Sequence, residues 1–310
     1  MENISPEYFM SLPLLLKRRA FISTVFKATA ATALLPIAGT VMAKPVRKEY
    51  TVNDVMQLIL KEIPGAPFAD TVDTLKSGTV SQKVTGIVTT MFATVDVIQQ
   101  AIKSNANFII AHEPTFFNHN DDKNWVEKND VLKKKEQLLE THGIAVWRFH
   151  DYWHAHRPDG IRYGVANRAG WEKYHQTDEE VMYKLPSQTL QQIAVHLKSS
   201  LGIEHLRLIG NLSQRCERIA LLPGAAGGQA QISIIEKYQP DVLIVGEVHE
   251  WETAEYVRDA QALGEKTALI VLGHSQSEEP GMQWLAEWLQ PKVEGIKVKP
   301  VLSGNPFKWL

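Results

Sequence analysis

Two stretches of the chain, set 134 residues apart, carry the same alternation of apolar run and amphipathic segment. In the first, residues 84–88 and 108–111 are apolar runs. Between them, residues 95–104 place Val95, Ile98, Ala101 and Ile102 at the spacing of a helix face. In the second, the runs are 219–222 and 242–245, with a helix at 231–238 carrying Ile232, Ile234 and Ile235. A gapless shift lays Asn107 on Asp241 and Glu113 on Glu247. Each half then adds a helix closed by a glycine (131–142 with Gly143, 254–263 with Gly264) and a further apolar strand. Strands that are apolar throughout and alternate with helices predict parallel sheets buried on both faces. The expected fold class is therefore α/β: two similar three-layer lobes with largely parallel sheets, related by an internal pseudo-repeat.

The spacing predicts two more helices. Residues 190–201 turn Ile193, Ala194, Leu197 and Leu201 inward, with Gly202 as the stop. Pro280 is expected to open a last helix whose Trp284, Leu285, Trp288 and Leu289 stripe belongs to a core. The first lobe is expected to span 44–168 plus 276–310, and the second 169–275. The formal charge of −2, with no block of five or six like charges, gives no footprint for nucleic acid. A single cysteine, Cys216, excludes an internal disulfide and any Cys-rich metal cluster.

Residues 1–43 read as an export address. Lys17-Arg18-Arg19 precedes a mild apolar stretch through Leu34 and Leu35, and Val41-Met42-Ala43 offers a small-residue cleavage site. The apolar stretch is too short, and too broken by Thr32 and Pro36, for a stable membrane anchor. Arg18-Arg19-x-Phe21-Ile22 resembles a twin-arginine signal, the route for proteins that fold and load metal before export. A periplasmic or otherwise exported protein, cleaved near Ala43, is expected. An ordinary secretory signal is the alternative.

In parallel sheets, ligands bind beyond the carboxyl ends of the strands. Three strand ends deliver metal-capable side chains: His112-Glu113 after residues 108–111, His150 through His156 after 144–149, and His274 with Glu278 after 267–272, expected in a loop ahead of Pro280. These nitrogen and oxygen donors, with no thiolate, suit zinc, iron or manganese. His119, His142, His175, His196 and His205 read as surface or loop residues, and His249 with Glu250 as outlying neighbours of the site. Gly224-Ala225-Ala226-Gly227-Gly228 lacks the Lys-Ser/Thr of a phosphate loop and reads as a turn. His154-Ala155-His156 also resembles the His-x-His pair of barrel amidohydrolases. That fold needs eight strand–helix units, and about six are present.

The runs 84–90 and 106–117, with Gly246-Glu247-Val248, Gly273-His274-Ser275-Gln276-Ser277-Glu278 and Pro158-Asp159-Gly160, resemble the Nif-three-like dinuclear metal proteins. These are homologues of a type 2 GTP cyclohydrolase I, and the similarity runs over residues 50–305. The resemblance implies five ligands holding two divalent ions. They fall on His112, Glu113, His154, His274 and Glu278, where the family has His-His, Asp and His-x-x-x-Glu. The two departures, Glu113 for His and His154 for Asp, leave three imidazoles and two carboxylates, so the donor charge is unchanged. The family also implies a toroidal homohexamer of two-lobed subunits.

The expected function is metal-dependent hydrolysis of a small molecule, in which a metal-bridged hydroxide attacks a carbonyl, an amidine-like ring carbon or a phosphorus. His150 and Glu247 are the candidates for orienting ligands or moving protons. The alternative is a non-catalytic metal binder for storage, delivery or regulation.

Overall fold

The computed structural model describes residues 48–310; the leader expected over residues 1–43 lies outside them. In chain order the main elements are α1 (Val52–Leu60), β1 (Leu75–Ser77), β2 (Ile87–Thr90), α2 (Val95–Lys103), β3 (Phe108–Ala111), α3 (Asp130–Thr141), β4 (Ala145–Arg148), α4 (Asp151–Ala155) and α5 (Gly160–Arg168). There follow β5 (Met182–Thr189), α6 (Leu190–Leu201), β6 (Arg207–Ile209), β7 (Arg215–Leu222), α7 (Gly228–Tyr238), β8 (Val242–Val245), α8 (Glu255–Ala262), β9 (Ala268–Val271), α9 (His274–Leu289) and β10 (Val298–Pro300).

These strands form two five-stranded sheets, ordered β1-β4-β3-β2-β10 and β5-β7-β8-β9-β6. In the first, only edge strand β1 is antiparallel; in the second, edge strands β5 and β6 are. The fold is therefore α/β with two lobes, each built around a parallel triplet. The repeat is visible as β2-β3-β4 and β7-β8-β9. Ile87 pairs with Phe108, and Ile219 with Val242, so the first strands align two residues off the gapless shift. A shift of two keeps every side chain on its own face, because strand side chains alternate with period two.

Burial on both faces explains the unbroken apolar runs. Ile87, Phe108, Ile110 and Trp147 pack in one core with α1 and α9, while Val88, Ile109, Ala111 and Val146 pack in another with α2 and α3. The second sheet divides the same way: Ile219, Val242 and Ile270 pack with α6, and Ala220, Leu243 and Leu269 with Ile235 of α7 and Val257 of α8. Capping boxes open α1 (Thr51 with Asp54) and α6 (Thr189 with Gln192), satisfying amides that a helix start leaves free. In α2 the core face is Val97, Ile98 and Ala101; Val95, expected inward, is 40% exposed and borders the cleft between the lobes.

The last helix differs from expectation. It begins at His274, and Pro280 lies inside it. The i, i+4 spacing of His274 and Glu278 already suits one helical face. A proline in a helix costs about 3 kcal/mol. Burial of Met282, Leu285 and Leu289, at about 1.5–3 kcal/mol each, outweighs it. Helix α9 crosses α5 at two glycines: a Cβ on Gly164 would stand 2.4 Å from the Gly281 Cα. On α5, Ile161 belongs to the first lobe's core, and Val165 and Ala166 to the second's. Both helices therefore carry the chain between lobes and hold the strand ends face to face.

Candidate metal centre

The carboxyl ends of β3, β4 and β9 meet where the lobes face one another, beside a cleft of about 1440 Å³. β3 delivers His112 and Glu113, β4 delivers His150 with His154 one turn further into α4, and β9 runs into α9 with His274 and Glu278. His112 Nε2 lies 3.5 Å from Glu278 Oε2. His274 Nε2 lies 3.3 Å from Glu278 Oε2 and 3.5 Å from Glu113 Oε1. His150 Nε2 is 3.7 Å from Glu113 Oε1. The rings of His112, His150 and His154 stand 4.7–5.1 Å apart, centre to centre. Ligand atoms of His112, His150 and His154 lie within 4.8 Å of one another, as do those of His112, Glu113 and Glu278.

Each of the four imidazoles has its Nδ1 tied to an oxygen. His112 Nδ1 donates to the Phe149 carbonyl at 3.1 Å. His150 Nδ1 meets Asp151 Oδ1 at 2.9 Å, His154 Nδ1 meets Asp159 Oδ2 at 3.1 Å, and His274 Nδ1 meets Glu247 Oε2 at 3.2 Å. A carbonyl or carboxylate only accepts, so Nδ1 carries the proton and the Nε2 lone pair of a neutral ring is left free. This is how proteins orient imidazole ligands for metals. The anchors are themselves anchored. Asp151 Oδ2 accepts from Thr71 Oγ1 and the Val72 amide, and Asp159 Oδ1 caps α5 through the Ile161 and Arg162 amides.

The electrostatics ask for a cation. Among the described residues, His112 Nε2, His274 Nε2 and Glu278 Oε2 are buried without a hydrogen-bond partner, an arrangement that costs free energy unless another group binds them. Burial, reinforced by His150 and His154, pushes the His112 ring well below its usual pKa. Burial also lowers His150 and raises Glu278. Burial works against charge on His274 too, but Glu113 and Glu278 outweigh it and push that ring up to about 10. Burial alone would raise Glu113, yet His274, His150 and Arg148 hold it below the usual range. The donors, imidazole and carboxylate, fit a divalent ion of the zinc, iron or manganese type.

The sequence matches the Duf34/NIF3 (NGG1p interacting factor 3) family over residues 50–306. The chain belongs to that family. A relative from Clostridium acetobutylicum, named a GTP cyclohydrolase 1 type 2 homolog, is 26% identical over 242 residues, covering 73% of this chain and 86% of its own. A hypothetical protein of Staphylococcus aureus superposes with a TM-score of 0.68 at 20% identity, covering 84% of this chain and 99% of its own. A Bacillus cereus protein related to NIF3 gives 0.68 at 17%, covering 85% and 100%. At these identities the two structures speak for the NIF3-type fold alone.

In this Duf34/NIF3 chain all five expected ligands, and both His150 and Glu247, lie at one centre. His274 and Glu278 stand on a helix rather than in the expected loop. His249 is exposed and pairs with Glu252, away from the centre. The glycine turn after β7 ties neighbouring segments together, since Gly224 donates to Ser277 Oγ and Gly228 to Glu252 Oε2. Sequence reasoning missed Arg148. It is fully buried, donates through Nε to the His112 carbonyl, bonds the His119 carbonyl through Nη1 and sets Nη2 3.4 Å from Glu113 Oε2. A charged residue ending an otherwise apolar strand was the available signal. His119, read as a loop residue, borders the cleft with its ring 5.9 Å from that of His150.

Proposed function

We propose that the protein is a metal-dependent hydrolase whose centre holds two divalent ions through His112, Glu113, His154, His274 and Glu278. One observation carries this reading: imidazoles from three distant strand ends, each with Nδ1 tied to an oxygen, converge with two buried carboxylates at the wall of a large cleft. A storage site has no use for such a cleft, whereas a substrate does. Such ions, when bound, supply Lewis acidity and activate water near neutral pH.

The chain's own residues do the rest. Glu247 keeps the proton of His274 on Nδ1, so Nε2 faces Glu113 and Glu278. Asp159 does the same for His154. Arg148 fixes the Glu113 carboxylate and the backbone on either side of it. Phe92, Phe117, Leu222 and Ile234 line the cleft with apolar surface, which binds a substrate body and excludes water. Lys135 and Arg162 bring positive charge to its walls, suited to an anionic substituent. The relatives' name makes hydrolysis at a purine ring carbon the first substrate class to try, followed by esters and phosphoesters.

The test is metal analysis and turnover on one sample. Retention of metal, with metal-dependent turnover lost in Glu113→Gln and Glu278→Gln, supports the reading. Less than about 0.2 equivalents after gentle purification overturns it, since such sites hold metal tightly. Metal retained with no turnover on any class leaves a metal-binding protein. We further propose export through the twin-arginine route and assembly as a homohexamer. Replacement of Arg18 and Arg19 by Lys, scored by fractionation, and solution mass by light scattering test these.

A further inference from the structure

We propose that His150 is a metal ligand, and that the centre has two unlike poles: an imidazole pole of His112, His150 and His154, and a carboxylate-rich pole of Glu113, His274 and Glu278. The inference rests on the metal-binding reading above but is separable from it.

His150 has the features that mark the other three rings. Its Nδ1 is held by Asp151 at 2.9 Å, and Asp151 is held in turn from the far side by Thr71 and Val72. Three groups thus fix one ring whose remaining nitrogen makes no hydrogen bond among the described residues and lies 3.7 Å from Glu113 Oε1. A histidine kept only to close a strand end needs no such buttress. Its position explains the geometry: His150 caps α4, and His154 lies four residues on, so both rings fall on the same side of that helix. The stacked His112 ring completes a trio whose ligand atoms lie within 4.8 Å of one another.

The remaining donors make a second trio. His274 Nε2 lies between Glu113 Oε1 and Glu278 Oε2, at 3.5 and 3.3 Å. His112 Nε2, 3.5 Å from Glu278 Oε2, sits at the seam. The six donors therefore fall into two groups that meet at His112, whose ligand atom lies within 4.8 Å of those of Glu113 and Glu278 as well as of the other two imidazoles. The imidazole pole carries no formal charge, and its balance comes from Asp151 and Asp159 one hydrogen bond behind the rings. The other pole carries two carboxylates directly. Imidazoles suit zinc, and carboxylates accept harder ions such as manganese, so the two positions differ in preference. His154 is what makes the first pole, since a carboxylate there would leave only two imidazoles.

The experiment compares the full-length protein with its His150→Ala, His154→Ala and Glu278→Gln variants, dialysed against zinc alone or manganese alone and analysed for bound metal. The unaltered protein should hold about two zinc ions, the complement of a two-metal site. His150→Ala and His154→Ala should each lose the same zinc, about one equivalent, and keep the manganese bound by the other pole. Added imidazole should restore the lost zinc in His150→Ala. Glu278→Gln should lose the manganese position. Two zinc ions retained at unchanged affinity in His150→Ala would overturn the assignment of His150 while leaving the proposed function standing. No metal in any sample would overturn both. Should His150→Ala not fold, a crystal structure of the zinc-loaded unaltered protein decides. A His150 Nε2 about 2.0–2.1 Å from an ion supports the ligand, and one beyond bonding reach excludes it.

Discussion

Gly224 stands so close to Glu278 that a Cβ on it would meet Oε1 at 2.0 Å. The glycine turn after β7 in the second lobe therefore makes room for a carboxylate carried on α9. Gly224 also has φ +74°, a backbone region that side chains adopt only with strain.

Gly224→Ala should push Glu278 off its place. The expected result is a fold that survives, with melting lowered by the equivalent of about 1–3 kcal/mol for the strained residue. Zinc affinity should fall at least tenfold. Calorimetric titration with zinc, beside a thermal melt, checks both. Unchanged zinc affinity would show that Glu278 does not hold metal.

Asp159→Ala removes two things at once. It uncaps α5, at about 1 kcal/mol, and frees the His154 ring. Loss of a carboxylate behind a ligating imidazole typically costs 10–100-fold in metal affinity. Asp159→Asn keeps one acceptor oxygen, enough for the cap, but sets an NH2 donor against His154 Nδ1 and gives up the charge, so it should spare α5 and still lose affinity in a zinc titration.

Metal should stabilise the protein. An ion present at a hundred times its dissociation constant adds about 2.7 kcal/mol. For a chain of this size that raises the melting temperature by roughly 4–5 °C. Melts with and without added zinc, and with chelator, read the shift directly. No shift would contradict the proposed centre.

Lys135 gives a pH dependence that does not involve the centre. It is buried, donates to the Thr115 carbonyl, and burial pushes its pKa down from 10.5 to about 8, with Asp121 pulling the other way. Between pH 8 and 10.5 the unfolded chain holds more protons than the folded one. Stability therefore rises with pH across that window, and the buried cation is a liability below it. Lys135→Met should gain on the unaltered protein near pH 7 and lose that advantage as pH approaches 10.5. The difference is on the order of 3 kcal/mol at most. Urea unfolding at pH 7, 8.5 and 10 checks the trend.

The elements legible in the sequence were those fixed by local pattern. β3 and β8 are all-apolar runs whose bounds follow from composition, and α6 is bracketed by Thr189 and Gly202. His112, His150 and His274 were legible because each follows the end of such a strand within three residues. Less legible was whatever depends on partners far along the chain. Thr71 and Val72 reach Asp151 across about eighty residues, and Arg148 gains meaning only from the loop it holds. The start of α9 was misplaced because proline at a helix opening is a local rule, while its tolerance inside α9 comes from contacts with the first lobe's core.

Helix α9 starts at the centre, among groups that follow β9, and ends with Leu285 and Leu289 in the opposite lobe's interior. It works as a tie-rod. A cation gripped by His274 and Glu278 at one end, and by His112 and His150 from the first lobe, would fasten the two sheets to each other. Ion occupancy would then help hold the width of the cleft between them.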